Sequence, residues 1–280
     1  MADSPTASAR SPLFASLTMY EWPETAASWD ALWRVIRARL SELNIDADPQ
    51  LRRGEDPWQD WRDPALVLGQ TCGWPYVSAL RGDVIALGRF DFGLPTARPG
   101  DYYSVFIAQH AMPLRCESPR ELAPLLNDPS TIIAVNGTDS QSGIRVWGEC
   151  LGGAFELAPG QLLVTGSHRN SICAVAEGAA TLAAIDAVTW QIALAHEPAA
   201  QQVAVIGRSA DVPGLPLVVT ARLAAYREVI HAALAQAVNQ SPTEIRVPLG
   251  LKGVVLAEDD DYEILLAPPY GNLSVAGAAN

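Results

Sequence analysis

The amino-acid sequence predicts an α/β protein whose parallel or mostly parallel sheet is covered by helices on both faces. Short apolar runs that suit buried strands alternate with longer segments of helical periodicity. Several predicted strands end at a polar residue, which is where open α/β sheets bind their ligands. Hydrophobic residues make up 49% of the 280 residues, which supplies a core for one large domain or for two lobes.

The first half of the chain alternates between strands and helices. Its predicted strands, in order, cover residues 13–19, 65–69, 84–87, 102–108 and 132–135. Its predicted helices, in order, cover residues 25–42, 120–126 and a segment that starts at Ser140. The first helix has a clear apolar face, formed by Trp29, Leu32, Trp33, Ile36 and Leu40. The charged, proline-containing stretch 46–63 predicts a loop or a short helix.

The same alternation continues in the second half. The predicted strands, in order, cover residues 162–164, 181–185 and 202–206. Predicted helices cover 169–177, which Gly178 ends, and 187–196, which Pro198 ends. After a turn at 213–216, a long helix carries an apolar stripe formed by Leu223, Tyr226, Ile230, Leu234 and Val238.

Polar residues follow five of these predicted strands. They are Tyr20, Gln70, Ser140, His168 and Asp186. Because the carboxyl ends of parallel strands lie at one edge of a sheet, we expect these side chains to converge on a ligand.

The stretch after the strand at 132–135 predicts a site for an anion. Ser140, Gln141 and Ser142 fall in the first turn of the predicted helix, where backbone N–H groups lack internal partners and the helix dipole is positive. The two serine hydroxyls add donors, and Gly143 allows a ligand to approach the backbone closely. The alternative is an ordinary structural helix that Asp139 or Ser140 caps.

Charge and cysteine spacing exclude several other functions. The formal net charge of −12 and the single lysine, Lys252, exclude a nucleic-acid binder, because phosphate backbones are bound by clustered basic residues. An anionic ligand must therefore be held by local donors. Four cysteines without a C-x-x-C pair or a histidine cluster indicate no metal site, redox centre or cofactor.

The N-terminal residues and the hydropathy pattern bear on localisation. The first twelve residues are polar, with an early Asp3, and lack the basic segment and apolar run of a secretion signal. This predicts a cytoplasmic protein, or a periplasmic one if a leader was lost. No apolar run approaches the roughly 20 residues that a membrane helix needs, so no membrane insertion is expected.

Five phrases, in order, resemble the phosphate/phosphonate-binding proteins of ABC transporters, the PhnD-like group. They are residues 68–75 (LGQTCGWP), 102–104 (YYS), 135–143 (VNGTDSQSG), 165–168 (TGSH) and 183–186 (AAID). The resemblance implies a type 2 periplasmic-binding-protein fold, in which two α/β lobes close over a ligand. Lobe 1 would comprise residues 1–104 and 208–280, and lobe 2 would comprise 105–207, with crossing strands near 103–108 and 203–208.

The resemblance also implies where a phosphate or phosphonate binds and what partner the protein has. The family holds its anion between a hydroxyl-rich helix start, here Ser140 to Ser142, and a turn that bears a histidine, here His168. Groups from the opposite lobe complete the site, and Tyr20, Gln70 and Thr71 match these positions best. An ABC permease is the partner that such a protein serves.

Two residues near this site have open roles. Tyr103 either lines the cleft or packs with its hydroxyl in solvent. Asp186 either caps the following helix or accepts a hydrogen bond from a protonated phosphate or an ammonium group of the ligand.

Two other functions remain as alternatives. Ser142, His168 and Asp186 also match the nucleophile, base and orienting acid of a hydrolase, although no G-x-S-x-G elbow is present. A cytoplasmic sensing module, which reports lobe closure to a protein partner, is the other alternative.

Overall fold

The computed structural model describes residues 12–112, 114–152, 157–158 and 160–270. In this part of the chain the strands are β1 (Phe14–Ser16), β2 (Leu66–Gln70), β3 (Val84–Asp91), β4 (Asp101–Tyr102), β5 (Ser104–Gln109), β6 (Ile133–Val135), β7 (Leu162–Val164), β8 (Leu182–Asp186), β9 (Val203–Arg208), β10 (Val212–Pro213), β11 (Pro216–Thr220) and β12 (Gly253–Val255).

The helices follow the same part of the chain. The α-helices are α1 (Ala26–Glu42), α2 (Pro57–Arg62), α3 (Gly73–Pro75), α4 (Ala123–Leu126), α5 (Gly148–Leu151), α6 (His168–Ala176), α7 (Ala187–His196), α8 (Arg227–Gln240) and α9 (Thr243–Arg246). Turns of 3₁₀ helix cover Pro119–Leu122, Arg145–Trp147, Pro198–Gln202, Ala221–Tyr226 and Asp259–Leu265, and a π turn covers Tyr76–Leu80. Among the described residues, no helix combines the length and hydropathy needed to cross a lipid bilayer.

Two five-stranded sheets form the framework of the molecule. The first sheet has the order β1-β2-β11-β3-β12, and the second has the order β7-β6-β8-β5-β9. The chain passes from the first sheet to the second through β4 and returns through β10, and these two short strands pair as an antiparallel ribbon. The α/β class is therefore as the sequence predicts.

The prediction of mostly parallel sheets is wrong, because both sheets are mixed. In the second sheet β6 runs parallel to β7 and β8, whereas β5 runs antiparallel to β8 and β9. In the first sheet β1 and β2 are parallel, and β11 runs antiparallel to β2 and β3. A parallel neighbour needs a crossover that usually contains a helix, and β5 and β11 are each reached through the ribbon without one.

Each sheet is buried between apolar layers. Along β5, Phe106 and Ala108 join the core on one face of the second sheet, and Val105 and Ile107 join the core on the other. This alternation follows from the two-residue period of a strand and shows that both faces are covered. A separate and larger cluster, which includes the apolar face of α1, fills the region around the first sheet.

Sequence periodicity located the two long helices. The predicted first helix is confirmed as α1, and its five predicted face residues are buried. The stripe predicted for the later helix is only partly right. Ile230, Leu234 and Val238 are buried in α8, but Leu223 and Tyr226 lie in a 3₁₀ turn before it, and Tyr226 is 51% exposed.

The helix predicted to start at Ser140 is absent. Residues 136–144 form an irregular loop, which we call the serine loop, and α-helical geometry begins only at α5. Side chains take the carbonyls that an α-helix would use: Ser104 Oγ donates to Ser142 O at 3.0 Å, and Trp147 Nε1 donates to Gly143 O at 3.0 Å. The N–H of Arg145 instead reaches back five residues to Ser140 O at 3.1 Å, which is too wide a turn for an α-helix.

Other predicted boundaries shift by a few residues. The predicted strand 13–19 is confined to β1, and the predicted strand 102–108 is interrupted at Tyr103, which separates β4 from β5. The predicted helix 169–177 is α6, and its cap is Ser167, whose hydroxyl accepts from Asn170 N–H at 3.1 Å. The localisation prediction rests on the first twelve residues, and the first eleven of these lie outside the described part of the chain.

Candidate functional site

A cleft of about 380 Å³ lies between the two sheets, at the carboxyl ends of β6, β7 and β8. These three strands are parallel neighbours, so the segments that follow them meet at one edge of the second sheet. The serine loop follows β6, a turn at 165–168 that we call the histidine turn follows β7, and Asp186 ends β8. Tyr20, from the loop after β1, lines the cleft from the first sheet.

The serine loop and the histidine turn are joined by a direct hydrogen bond. Ser142 Oγ lies 2.9 Å from His168 Nε2, and Ser140 Oγ lies 3.5 Å from Ser142 Oγ. All three residues line the cleft. The segments that follow two adjacent parallel strands therefore place two hydroxyls and an imidazole on one wall of the cleft.

Burial keeps the imidazole of His168 neutral. It lowers the pKa of His168 to about 4, because a charged ring is poorly solvated there. The backbone of Ala184 acts in the opposite direction and raises this pKa, but burial is the larger effect. A neutral imidazole still donates one N–H, so at neutral pH His168 is a hydrogen-bonding group rather than a charged one.

Two of the amides predicted to face an anion are already used within the protein. Gln141 N–H donates to Cys72 Sγ at 3.3 Å, and Gly143 N–H donates to Ser140 Oγ at 3.0 Å. In the described part of the chain the N–H groups of Gly137, Asp139 and Ser142 have no hydrogen-bond partner, and all three residues line the cleft. The donors on this wall are therefore loop amides and hydroxyls, not the start of an α-helix.

The serine loop depends on a glycine at position 143. A Cβ there would lie 1.9 Å from Asn136 Oδ1, so any larger residue must displace the Asn136 side chain or the loop. Asn136 also lines the cleft, and its Oδ1 is buried with no partner among the described residues. Gly143 thus serves the packing of the loop, although it does not itself line the cleft.

Asp186 caps α7 and bonds across to the first sheet. Its Oδ1 accepts from the N–H groups of Val188 (2.7 Å) and Thr189 (3.2 Å), and its Oδ2 accepts from the Tyr20 hydroxyl at 2.8 Å. Burial raises the pKa of Asp186 to about 6, although these hydrogen bonds oppose the shift. The capping role left open by the sequence is thus present in the structure. Burial also raises the pKa of Tyr20 well above its usual value, which keeps its hydroxyl a donor.

A hydrolase triad is not assembled. Ser142 and His168 are within hydrogen-bond reach, but the oxygens of Asp186 bond to Tyr20 and to the backbone of α7, and neither bonds to His168. The imidazole therefore has no acid to orient it or to stabilise its protonated form. Cys72, at the edge of the cleft, is no alternative nucleophile, because burial raises its pKa to about 11.

The structure brings together half of the residues that the sequence predicted for the site. Those that line the cleft are Tyr20, Ser140, Ser142, His168 and Asp186. Those that lie outside its lining are Gln70, Thr71, Tyr103, Gln141 and Gly143.

Each of the outlying residues has its own environment. Thr71 is fully buried and its hydroxyl donates to Cys72 O, and Gln70 and Gln141 are each only 2% exposed. Tyr103 carries the guanidinium of Arg208 over its ring at 3.9 Å. The Tyr103 ring also packs against apolar residues of both sheets.

Sequence reasoning missed many of the residues that line the cleft, among them Trp22, Trp58 and Arg169. Trp58 Nε1 donates to Asp139 Oδ2 at 3.2 Å, a bond that joins α2 to the serine loop. Arg169 lies 4.4 Å over the ring of Trp22 and pairs with Glu24 and Glu197. The Asp-Pro pair before Trp58 is a helix-start signal that would have placed Trp58 in a first turn, but nothing local in the sequence shows that it faces the cleft.

Comparison with known proteins identifies a family. The model of the periplasmic substrate-binding proteins of phosphonate ABC transporters matches residues 66–262. No curated protein sequence gives a significant match.

Three solved structures have a similar fold at low sequence identity. PhnD1 from Prochlorococcus marinus, in complex with methylphosphonate, has a TM-score of 0.69 at 15% identity and covers 90% of this chain and 95% of its own. A binding component of an ABC phosphonate transporter from Pseudomonas aeruginosa has a TM-score of 0.66 at 16% identity, covering 91% and 84%. A Xanthomonas citri protein with bound chloride has a TM-score of 0.65 at 16% identity, covering 90% and 93%.

These findings agree with the two mixed sheets and with the cleft between them. A family of substrate-binding proteins also excludes the hydrolase alternative, in agreement with the missing triad contact. The chain belongs to the phosphonate-binding family of ABC-transporter periplasmic substrate-binding proteins, the PhnD-like group, and has their two-lobed type 2 periplasmic-binding-protein fold.

Proposed function

We propose that this protein binds a small oxyanion, phosphate or a phosphonate, on the wall formed by the serine loop and the histidine turn. The observation that carries the proposal is the 2.9 Å contact between Ser142 Oγ and His168 Nε2 at the edge of an interlobe cleft. These two side chains come from adjacent parallel strands, the arrangement that places ligand groups together in α/β proteins. Family membership supports a solute-binding role.

Local hydrogen bonds must provide the affinity, because the net charge of −12 repels an anion. Micromolar binding corresponds to about 8 kcal/mol, and each hydrogen bond to a charged group contributes about 1.5–3 kcal/mol. Ser140, Ser142, His168 and the loop amides must therefore act together, and donors from the opposite lobe add to them. This requirement favours a ligand that is enclosed by both lobes.

We assign residues 1–104 and 208–280 to lobe 1 and residues 105–207 to lobe 2. The passage of the chain between the sheets at β4–β5 and at β9–β10 supports this division. A hinge at these passages would let the lobes open to admit the ligand and close over it. In this assignment Tyr20 and Trp58 belong to lobe 1, and the serine loop and histidine turn belong to lobe 2.

Family membership favours an ABC permease as the partner and the periplasm as the location, over a cytoplasmic sensing module. Stimulation of ligand uptake by a reconstituted permease would support the transport role. Stable co-purification with a cytoplasmic signalling protein would instead support sensing.

Titration calorimetry with phosphate, phosphite, methylphosphonate and 2-aminoethylphosphonate tests the binding proposal. We expect at least one of these anions to bind, and Ser142→Ala to weaken it by about tenfold or more through loss of a hydrogen bond to a charged ligand. Ser130→Ala is the matched control, because Ser130 is exposed and its hydroxyl bonds only to nearby Asp128. No binding of any anion, or an equal effect of the two substitutions, would refute the proposal.

A further inference from the structure

The last described residues of the chain pass from the first sheet to the stretch that follows the serine loop. The 3₁₀ turn Asp259–Leu265 packs on the first-sheet side, where Tyr262 is fully buried and its hydroxyl donates to Gly214 O, between β10 and β11, at 2.9 Å. Residues 266–270, which we call the strap, continue from this turn. By our assignment the turn and the strap belong to lobe 1, although the strap ends against α5 of lobe 2.

The strap lies directly against the backbone of α5. A Cβ at Gly148 would lie 2.1 Å from Pro269 O, so the two segments approach as closely as a glycine allows. Tyr270 is buried, and its ring joins the apolar cluster around the first sheet. Its hydroxyl donates to Glu149 Oε1, and its carbonyl accepts from Arg145 Nη1 at 3.4 Å. The ring of Tyr270 is therefore held on the first-sheet side, while its polar groups bond to residues that we assign to lobe 2.

Glu149 joins the strap to the hinge. Its second oxygen, Oε2, accepts from Ala210 N–H at 2.8 Å, and Ala210 lies in the passage between β9 and β10. Burial raises the pKa of Glu149, and the bonds from Tyr270 and Ala210 oppose this shift by stabilising the carboxylate. Burial and this carboxylate raise the pKa of Tyr270, which keeps its hydroxyl a donor. Glu149 thus connects three segments: α5, the strap and the hinge.

The stretch that the strap contacts also holds the serine loop. Three hydrogen bonds join the 3₁₀ turn before α5 to this loop: Arg145 N–H to Ser140 O (3.1 Å), Val146 N–H to Gln141 O (3.1 Å) and Trp147 Nε1 to Gly143 O (3.0 Å). Because α5 follows this turn directly, residues 145–149 contact the strap at one end and the serine loop at the other. Glu149 and Tyr270 do not line the cleft, so any effect that they have on a ligand must pass through the loop.

We propose that Tyr270 and Glu149 are positioning residues for the oxyanion site, because the strap holds residues 145–149 and these residues hold the serine loop in its ligand-binding arrangement. This inference rests on the proposed function and adds a control of its affinity by a segment that does not line the cleft. A loop that is already ordered loses less conformational freedom when an anion binds. The strap therefore raises the affinity without contacting the ligand.

Single substitutions in the full chain test this role with two probe anions. Tyr270→Phe and Glu149→Gln should each lower the affinity for phosphate and for methylphosphonate by the same factor, about three- to tenfold, because each breaks the bond between strap and α5. In titration calorimetry the double variant should bind about as weakly as the weaker single variant, since both changes break one link. Tyr226→Phe and Glu177→Gln are the matched controls, because both side chains are exposed and lie outside the cleft lining.

Amide hydrogen exchange without ligand separates positioning from a general loss of stability. The N–H groups of Gln141 and Gly143 are bonded inside the protein, to Cys72 Sγ and Ser140 Oγ. They should exchange about threefold faster or more in Tyr270→Phe than in the wild type, because the loop opens more often. Amides of β5 and β8, which lie inside the second sheet, should keep their wild-type rates.

The possible results separate this inference from the proposed function. Wild-type affinities for both anions in Tyr270→Phe and Glu149→Gln overturn the inference while leaving oxyanion binding intact. Equal acceleration of exchange in the serine loop, β5 and β8 also overturns it, because the substitution then lowers stability in general. Failure of the wild-type protein to bind any anion refutes the proposed function itself, and the exchange experiment, which needs no ligand, still tests the link between strap and serine loop.

Discussion

His168 and Asp186 are two buried titratable groups at one cleft whose pKa values are displaced toward each other's range. Burial lowers the pKa of His168 to about 4, from an ordinary value near 6.5, and raises that of Asp186 to about 6, from an ordinary value near 3.8. Both groups are therefore held mainly in their neutral forms near pH 5. This pairing reduces the charge that an empty cleft must accommodate.

The pH dependence of folding stability should reveal these opposite shifts. As pH falls from about 6.5 to 4, the unfolded chain protonates His168 while the native protein does not, so this group destabilises the native state. Over pH 4 to 6 the native protein retains the proton of Asp186 that the unfolded chain has lost, so Asp186 is stabilising at the acidic end and its contribution is lost as pH rises. The two slopes oppose each other in the wild-type protein.

Single substitutions should separate the two contributions. We expect the unfolding free energy of Asp186→Asn to rise more steeply from pH 4 to 6 than that of the wild type. In this variant the contribution of His168 to the pH dependence is no longer opposed by that of Asp186. The unfolding free energy of His168→Gln should have a lower slope against pH than that of the wild type over the same range, because only the contribution of Asp186 remains. Urea denaturation at half-unit pH steps measures both, and parallel curves for all three proteins would contradict the pKa shifts.

At the scale of elements, the fold class and the strand exits could be predicted, because they follow from local patterns. Period-two and helical spacing gave the positions of β6, β8 and α1 to within a residue or two. The adjacency of β6, β7 and β8 could not be derived from these patterns alone, although it is what brings Ser142 to His168. Local patterns also do not show that the chain passes between the sheets through β4 and β10 without a helix. The sheets were therefore expected to be mostly parallel.

The serine loop shows why the site itself was predicted only in part. Ser140, Gln141 and Ser142 have the residue types of a helix start, but Ser104 from β5 and Trp147 bind the carbonyls that a helix would use. The Trp147 contact spans only four residues, but the Ser104 contact comes from tertiary packing, which overrides a local signal. Trp58 was missed for the same reason, since α2 reaches the cleft only after the lobes have packed.

The same packing predicts that the serine loop tolerates no side chain at position 143. Gly143→Ala would place a Cβ 1.9 Å from Asn136 Oδ1, so we expect a loss of about 1–3 kcal/mol in unfolding free energy and weaker anion binding as the loop shifts. Gly54→Ala is the control, because its Cβ would meet Asp60 at an ordinary 3.5 Å. Chemical denaturation and calorimetry on both variants test this, and equal stability would show that Asn136 moves aside freely.

At the scale of the whole molecule, the cleft is bordered by contacts between groups that we assign to opposite lobes. Tyr20 bonds to Asp186, Trp58 bonds to Asp139, and Glu24 pairs with Arg169 at 3.3 Å. The Glu24–Arg169 pair is partly exposed and contributes little to stability. The Tyr20–Asp186 bond is buried, so of these three contacts we expect it to contribute most to holding the assigned lobes together.

Removal of the Tyr20 hydroxyl should therefore favour opening of the lobes. Part of the binding energy of a ligand that contacts both lobes must then be used to close them. We therefore expect Tyr20→Phe to lower the affinity for every anion by a similar factor, up to about tenfold. Small-angle X-ray scattering should show a larger radius of gyration for ligand-free Tyr20→Phe than for the wild type, and compaction of both by saturating ligand. Tyr226→Phe is the control, since Tyr226 is 51% exposed and lies outside the cleft. An effect of Tyr20→Phe on one anion alone would mean that its hydroxyl contacts the ligand rather than holding the lobes together.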